Sequence, residues 1–223
     1  MKNVSRAEAV KISLLIALAF RVCFCVKAYA VESGIETNQI IMPVTKTIVL
    51  GGGCFWGMEA VFKHTKGVID VVSGYAGGKK QEAYYDIVSS GKTKHVEVVQ
   101  VTYNPSQISF SKLLDVYFNV AHDPTQLNYQ GPDYGLQYRS VIFYKTSEQK
   151  NEAEEKIAVL NQRHIFSTPV VTNLEPLDTF YLAEEYHQNY VKQHKKQPYV
   201  VVYDTPKLEK LKSVYPDLYR ERE

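Results

Sequence analysis

Cys54, set at the end of a glycine run, is where side-chain types and spacing first suggest chemistry. Gly51-Gly52-Gly53-Cys54-Phe55-Trp56-Gly57 follows the apolar run Thr47-Ile48-Val49-Leu50 and precedes residues with helical apolar spacing. The pattern reads as strand, glycine turn and helix, with the helix starting at or near Cys54 and running to His64. Glycines permit backbone angles that other residues avoid and leave N–H groups open to a ligand. A thiol at a helix N-terminus feels the positive end of the macrodipole, so its pKa is expected to fall and the thiolate to become available. Phe55 and the chain's single tryptophan, Trp56, would wall an apolar pocket. A buried cysteine in a tight turn is the plain alternative, but three glycines and two adjacent large aromatics are a costly way to build one. A phosphate-binding loop is disfavoured, because no Lys-Ser/Thr follows and the spacing fits neither nucleotide fingerprint.

Other chemistry-bearing residues have ordinary readings when taken alone. Glu97 sits on an alternating segment, where Val96 and Val98 would face a core and Glu97 the solvent. Tyr85 and Tyr138 are two of 17 tyrosines. Asp133 lies in Gly131-Pro132-Asp133-Tyr134-Gly135, which is turn material. His122-Asp123-Pro124 reads as a helix end and turn. His187 reads as a hydrogen-bonded packing histidine on an Ala183–Tyr190 helix, and Arg139 is left outside the site.

The elements that must position these residues interleave. Strands are expected at 47–50, Val68–Gly74, His95–Tyr103, Tyr138–Tyr144 and Pro169–Leu174. Helices are expected at 54–64, Ser111–Ala121, Ser147–Arg163 and Leu182–Gln193. Such an order suggests an α+β domain, an α/β two-layer sandwich in which helices pack on a mixed sheet. The 223 residues are 45% hydrophobic and 22% charged, enough for a real core and unlike a disordered chain. A net charge of +2 gives no reason to expect nucleic acid as a partner. No Cys-x-x-Cys pair exists, which excludes a zinc ribbon or a thioredoxin-type motif.

The N-terminus has a basic start (Lys2, Arg6, Lys11), an apolar run from Ile12 to Phe20, and the small-x-small triplet Ala28-Tyr29-Ala30. Residues 1–30 are read as a cleaved secretory signal, too short in its apolar part to span a bilayer. Arg21 departs from a clean signal, and an uncleaved anchor is the alternative. Cleavage would change the net charge from +2 to −2 and remove Cys23 and Cys25, leaving Cys54 as a single thiol with no disulfide partner. Residues 31–45 are expected to be a linker or N-terminal arm, and 46–223 one domain. Export would place the protein most simply in a bacterial periplasm.

Gly53-Cys-Phe-Trp-Gly-Met-Glu59 resembles the signature of the A-type peptide-methionine (S)-S-oxide reductases, and the resemblance runs on in order. It includes Gly74-Tyr-Ala-Gly-Gly78; Tyr85, Ser90-Gly91-Lys-Thr93 and His95-Val-Glu97; His122-Asp-Pro-Thr-Gln126 through Gln137-Tyr-Arg-Ser140; and Phe180-Tyr181 through Tyr186-His-Gln188. It covers roughly residues 46 to 215. It implies a single domain with a ferredoxin-like core and reduction of methionine-S-sulfoxide, free or in proteins. On that resemblance Cys54 attacks sulfur, and Glu97 is the general acid, its pKa raised by burial among valines. Tyr85 and Tyr138 hydrogen-bond the sulfoxide oxygen, Asp133 joins the polar cluster, and Phe55 with Trp56 holds the methyl group. Cys54 is left as a sulfenic acid.

The chain departs from many family members in having no cysteine after Cys54. The expectation is therefore a single-cysteine enzyme whose sulfenic acid is reduced by an external thiol, either a small thiol or a thioredoxin-like or glutaredoxin-like protein. No metal, flavin or nucleotide site is read, no cofactor is expected, and the protein is expected to act as a monomer on oxidised methionine. Two competing readings remain. One is a thiol hydrolase or acyltransferase using Cys54 with His122 or His187 as base, which requires a histidine at the thiol. The other is a binding module for methionine-rich peptides, which requires no thiol at all.

Overall fold

The computed structural model describes residues 44–222. The signal-like segment 1–30, with Cys23 and Cys25, and nearly all of the arm 31–45 lie outside the described residues. In chain order the elements are β1 (Lys46–Gly51), α1 (Phe55–Lys63), β2 (Val68–Ala76), the short α2 (Tyr85–Val88), β3 (Val96–Tyr103), α3 (Phe110–Val116), β4 (Tyr129–Gln130), β5 (Asp133–Tyr134), β6 (Val141–Tyr144), α4 (Ser147–Gln162), β7 (Asn173–Pro176), β8 (Phe180–Leu182), α5 (Tyr190–Gln193) and α6 (Thr205–Val214).

Six strands form one sheet in the order β7-β6-β1-β3-β2-β8. Its centre, β6-β1-β3-β2, is antiparallel throughout. With α1 between β1 and β2 and α3 between β3 and β6, this is the split βαβ of the expected ferredoxin-like core. β7 joins β6 in parallel and β8 joins β2 antiparallel, which makes the sheet mixed.

Both faces of the sheet are covered, so β1 reads Ile48-Val49-Leu50 without alternation. Ile48, Leu50, Val99 and Val101 join Phe55, Met58, Val61 and Phe62 of α1 and Leu113 and Leu114 of α3 in the main core. Val49, Val96, Val98, Val141 and Phe143 form a second cluster on the opposite face. Each such side chain contributes about 1.5–3 kcal/mol through burial. Period-two alternation along β3 therefore puts Glu97 on the face of Val99 and Val101, beneath the helices and not in solvent.

Helix starts follow local chemistry. Ser109 accepts from the Lys112 N–H at the head of α3, and Thr146 accepts from the Gln149 N–H at the head of α4. Three expectations need correction. The strand expected from Tyr138 begins at Val141, because Tyr138 closes a 3₁₀ turn, Leu136–Tyr138. The strand expected at Pro169–Leu174 forms at Asn173–Pro176, in register with β6. The helix expected at Leu182–Gln193, which was to carry His187, does not form. Leu182 ends β8, His187 lies in a 3₁₀ turn (Glu185–His187), and only Tyr190–Gln193 is helical. Tertiary bonds override the helical pattern there. The Gln188 amide bonds the N–H and C=O of Ser73, and Asn189, in the left-handed region, donates its N–H to the Glu59 carboxylate.

Candidate active site

The glycine turn delivers Cys54 as expected. β1 ends at Gly51, and Cys54 is the N-cap residue of α1. Gly53 has φ +88°, a left-handed conformation that favours glycine, and its N–H donates to the Tyr138 carbonyl at 3.1 Å. That bond ties the thiol turn to the 3₁₀ turn carrying Tyr138. Behind it, the Tyr117 hydroxyl donates to the Gly51 carbonyl at 2.7 Å and meets Ser140 Oγ at 3.1 Å.

A cavity of about 250 Å³ opens at the thiol, lined by Cys54, Phe55, Trp56, Tyr85, Glu97, Asp133, Tyr138, Gln197 and Tyr199. All seven residues singled out in the sequence therefore border one cavity. A larger cavity, about 570 Å³, lies further along α1 by Glu59, Ala60, Val191 and Leu208, and none of these site residues lines it. The smaller cavity is the candidate site because it brings the candidate nucleophile Cys54 and the candidate acid Glu97 together.

Glu97 is only 2% exposed, and its Oε2 accepts the Phe55 N–H at 3.2 Å in the first turn of α1. Burial pushes its carboxyl up to about 8, against the opposing pull of the Phe55 N–H. Near neutrality it is thus mostly a neutral acid. Tyr85 is held by its backbone, whose N–H donates to Glu184 Oε1 at 2.9 Å, while Glu184 Oε2 accepts from the Tyr75 hydroxyl at 2.8 Å. Burial raises the Tyr85 phenol to about 12 and raises Tyr138 as well, so both remain proton donors.

Cys54 departs from expectation. The thiol is 8% exposed, and burial pushes its pKa well up, with the charges of Glu97 and Asp204 adding to the rise. The Trp56 N–H at the helix start and the Lys207 charge pull the other way and lose. Helix-dipole reasoning omitted the desolvation and the carboxylates that the fold brings in.

The aromatic wall is tightly set. Phe55 is fully buried, with its ring 4.9 Å from His187 and 5.8 Å from Tyr75. Trp56 stacks on Tyr190 at 3.6 Å and donates Nε1–H to His187 Nδ1 at 3.0 Å. That bond fixes the indole plane and gives His187 its packing role.

Neither histidine serves the thiol as a base. His122 meets the Tyr117 carbonyl and Ser140 Oγ with its two ring nitrogens, and burial drives its pKa down to about 3. His187 Nε2 has no hydrogen-bond partner among the described residues. Arg139 clamps Glu175 and the Lys94 carbonyl, outside the cavity.

Sequence reasoning missed Tyr199 and Gln197. The Tyr199 hydroxyl donates to Asp133 Oδ2, and this bond draws Asp133 toward the cavity. Burial raises Asp133 above the ordinary carboxylate range, while the Tyr199 bond and Lys207 oppose the rise. Tyr199 leads into a wide, π-type turn, Val200–Asp204, which aligns residues five apart on one side. Tyr199 and Asp204 are such a pair, as are Tyr117 and His122 across the similar turn Tyr117–Ala121. A segment beginning Gln-Pro-Tyr, one tyrosine among 17, offered no local signal beyond its place in the tail.

A family model described as peptide methionine sulfoxide reductase matches residues 46–218. Among curated relatives, peptide methionine sulfoxide reductase MsrA 2 of Mesorhizobium japonicum is 48% identical over 180 residues, covering 81% of this chain and 92% of that protein. The enzyme named MsrA of Trichodesmium erythraeum is 49% identical over 171 residues, covering 77% and 96%. Among solved structures, Mxr1 of Saccharomyces cerevisiae in reduced form aligns with TM-score 0.65 at 35% identity, covering 69% of this chain and 87% of that one. Methionine sulfoxide reductase A of Corynebacterium diphtheriae aligns with TM-score 0.65 at 34% identity, covering 70% and 78%.

Proposed function

The chain belongs to the peptide methionine sulfoxide reductase family, and on that premise we propose that it reduces methionine-S-sulfoxide, free or in proteins, with Cys54 as the one thiol that touches substrate. The observation that carries this reading is the Glu97 carboxyl, buried, mostly neutral at pH 7 and bonded at the helix turn that begins with Cys54. A sulfoxide is a poor electrophile until its oxygen takes a proton. Glu97 supplies that proton, Cys54 sulfur attacks the sulfoxide sulfur, and Tyr85 and Tyr138 donate hydrogen bonds to the oxygen as charge develops. Phe55 and Trp56 receive the methyl group. Asp133, held by Tyr199, acts in the polar wall. The sulfoxide oxygen passes to Cys54, giving methionine and a Cys54 sulfenic acid.

One external thiol then displaces the hydroxyl as water and forms a mixed disulfide. A second thiol releases Cys54 and leaves as a disulfide. This second stage is assigned to an outside donor because the sequence has no cysteine after Cys54. Export is proposed as well, on the signal-like residues 1–30. Determining the N-terminal residue of the protein recovered from the producing cell decides it, with Val31 expected.

The test of function uses the full chain with dithiothreitol and the separated S and R epimers of a blocked methionine sulfoxide. Turnover of the S epimer alone, abolished in Cys54→Ser, is expected. Without added thiol, one methionine per chain should form together with a trappable Cys54 sulfenic acid. Turnover that survives Cys54→Ser refutes the assignment.

A further inference from the structure

Beneath the Cys54 turn, the segment after Tyr199 brings in a charged pair that the reaction above does not use. Asp204 ends the wide turn and is fully buried (0% exposed). Its side chain does not cap α6, and neither oxygen has a hydrogen-bond partner among the described residues. Lys207 Nζ lies 3.5 Å from Oδ1. Both press on Gly57, where a Cβ would overlap Asp204 Oδ1 and stand 2.7 Å from Lys207 Nζ. Gly57 is one helical turn from Cys54, three residues on, so the pair sits under the same end of α1 as the thiol.

A buried carboxylate held only by an ammonium 3.5 Å away is costly, and an apolar residue would fill the space against Gly57 without that cost. Asp204 and Lys207 act on Cys54 with opposite signs, the first against the thiolate and the second for it. The other titratable groups facing this cluster are Glu97 from β3, Asp133 from β5 and Tyr199, with Tyr85 and Tyr138 beside Cys54 and the His122 ring beside Lys207.

We propose that Asp204 and Lys207 are positioning residues that act as a unit to set the ionisation of Cys54, Lys207 stabilising the thiolate and Asp204 masking that cation. The proposal rests on Cys54 being the attacking thiol. In a chain with no downstream cysteine, this one sulfur is both the nucleophile toward the sulfoxide and the leaving group from the mixed disulfide. Its ionisation therefore weighs on both stages.

The test is the pH dependence of Cys54 alkylation by iodoacetamide in the reduced full chain, read by mass spectrometry so that Cys23 and Cys25 are counted separately. Asp204→Asn is expected to lower the midpoint by about one pH unit, giving about tenfold faster alkylation below it. Lys207→Met is expected to raise the midpoint and slow alkylation. Asp204→Glu, which keeps the charge, should return toward wild type and covers the case in which the asparagine variant misfolds. A packing role would shift both neutralising variants the same way. Shifts of one sign, or unchanged midpoints in folded protein, overturn the proposal. Alkylation does not depend on sulfoxide turnover, so absence of turnover in wild type would count against the reductase reading alone.

Discussion

Glu97→Gln separates the two roles that Glu97 plays toward Cys54. The amide oxygen can still accept the Phe55 N–H, now 3.2 Å from Oε2, so the turn should hold. What is lost is the proton. With a carboxyl near 8, about nine-tenths of wild-type molecules carry it at pH 7. Loss of a positioned general acid costs about 10²–10⁴ in rate, or about 3–5 kcal/mol of transition-state stabilisation. The same change removes a charge that opposes the Cys54 thiolate above pH 8. Alkylation of Cys54 at pH 9 should therefore be as fast as in wild type or faster, while sulfoxide reduction collapses. The assay is single-turnover reduction of the S epimer from pH 6 to 10, with alkylation run in parallel. Wild type should give a bell, falling at high pH as Glu97 ionises; the variant should keep only the rising limb. Stability has a matching sign. A carboxyl raised in the folded state favours folding below its unfolded pKa, near 4, and loses that advantage as pH rises toward 8. Glu97→Gln should gain stability relative to wild type across that window. Turnover within tenfold of wild type, or alkylation that falls in parallel with turnover, refutes the acid role.

Tyr85→Phe and Tyr138→Phe each remove one donor to the developing oxygen charge. Each should lower the single-turnover rate by about 10–100-fold, with a larger loss in the double variant and little change in melting temperature. Gly53→Ala forces a side chain into φ +88° and sets its Cβ 2.5 Å from Gln130 Cγ. It should destabilise by about 1–3 kcal/mol in denaturant titration and lower turnover through the Tyr138 tether. Leu114→Ala empties a fully buried position in the main core, outside the cavity lining. It should cost about 2–5 kcal/mol and several degrees of melting temperature, with turnover at 25 °C intact.

The parts of the site that were legible in the sequence are those made locally. Three glycines between an apolar run and a helical pattern place Cys54 at a strand-to-helix turn, and the structure puts it there. Alternation along β3 was legible too, but its face was not, because both faces of this sheet are covered and either phase would bury valines. The ordered resemblance implied a buried acid on this strand; in the structure Glu97 is 2% exposed and accepts the Phe55 N–H at the head of α1. Where local pattern met tertiary bonds, the tertiary bonds won. Gln188 reaches back to Ser73 and breaks the helix expected at 182–193, and Asn173–Pro176, poor in strand formers, is strand because it pairs with β6.

The thiol's ionisation was misjudged for the same reason. A dipole at a helix start is visible in seven consecutive residues. The opposing groups are Glu97, forty-three positions away on β3, and Asp204, one hundred and fifty positions away in the tail. Burial makes those remote charges count, since little water remains to screen them. A cysteine motif read locally thus gives the nucleophile, while its reactivity belongs to segments that meet only in the fold. The same division explains why a helix-start thiol here needs Glu97 neutral. At neutral pH the proton that the sulfoxide oxygen requires is also the proton that removes the Glu97 charge opposing the Cys54 thiolate, so one ionisation state serves both groups.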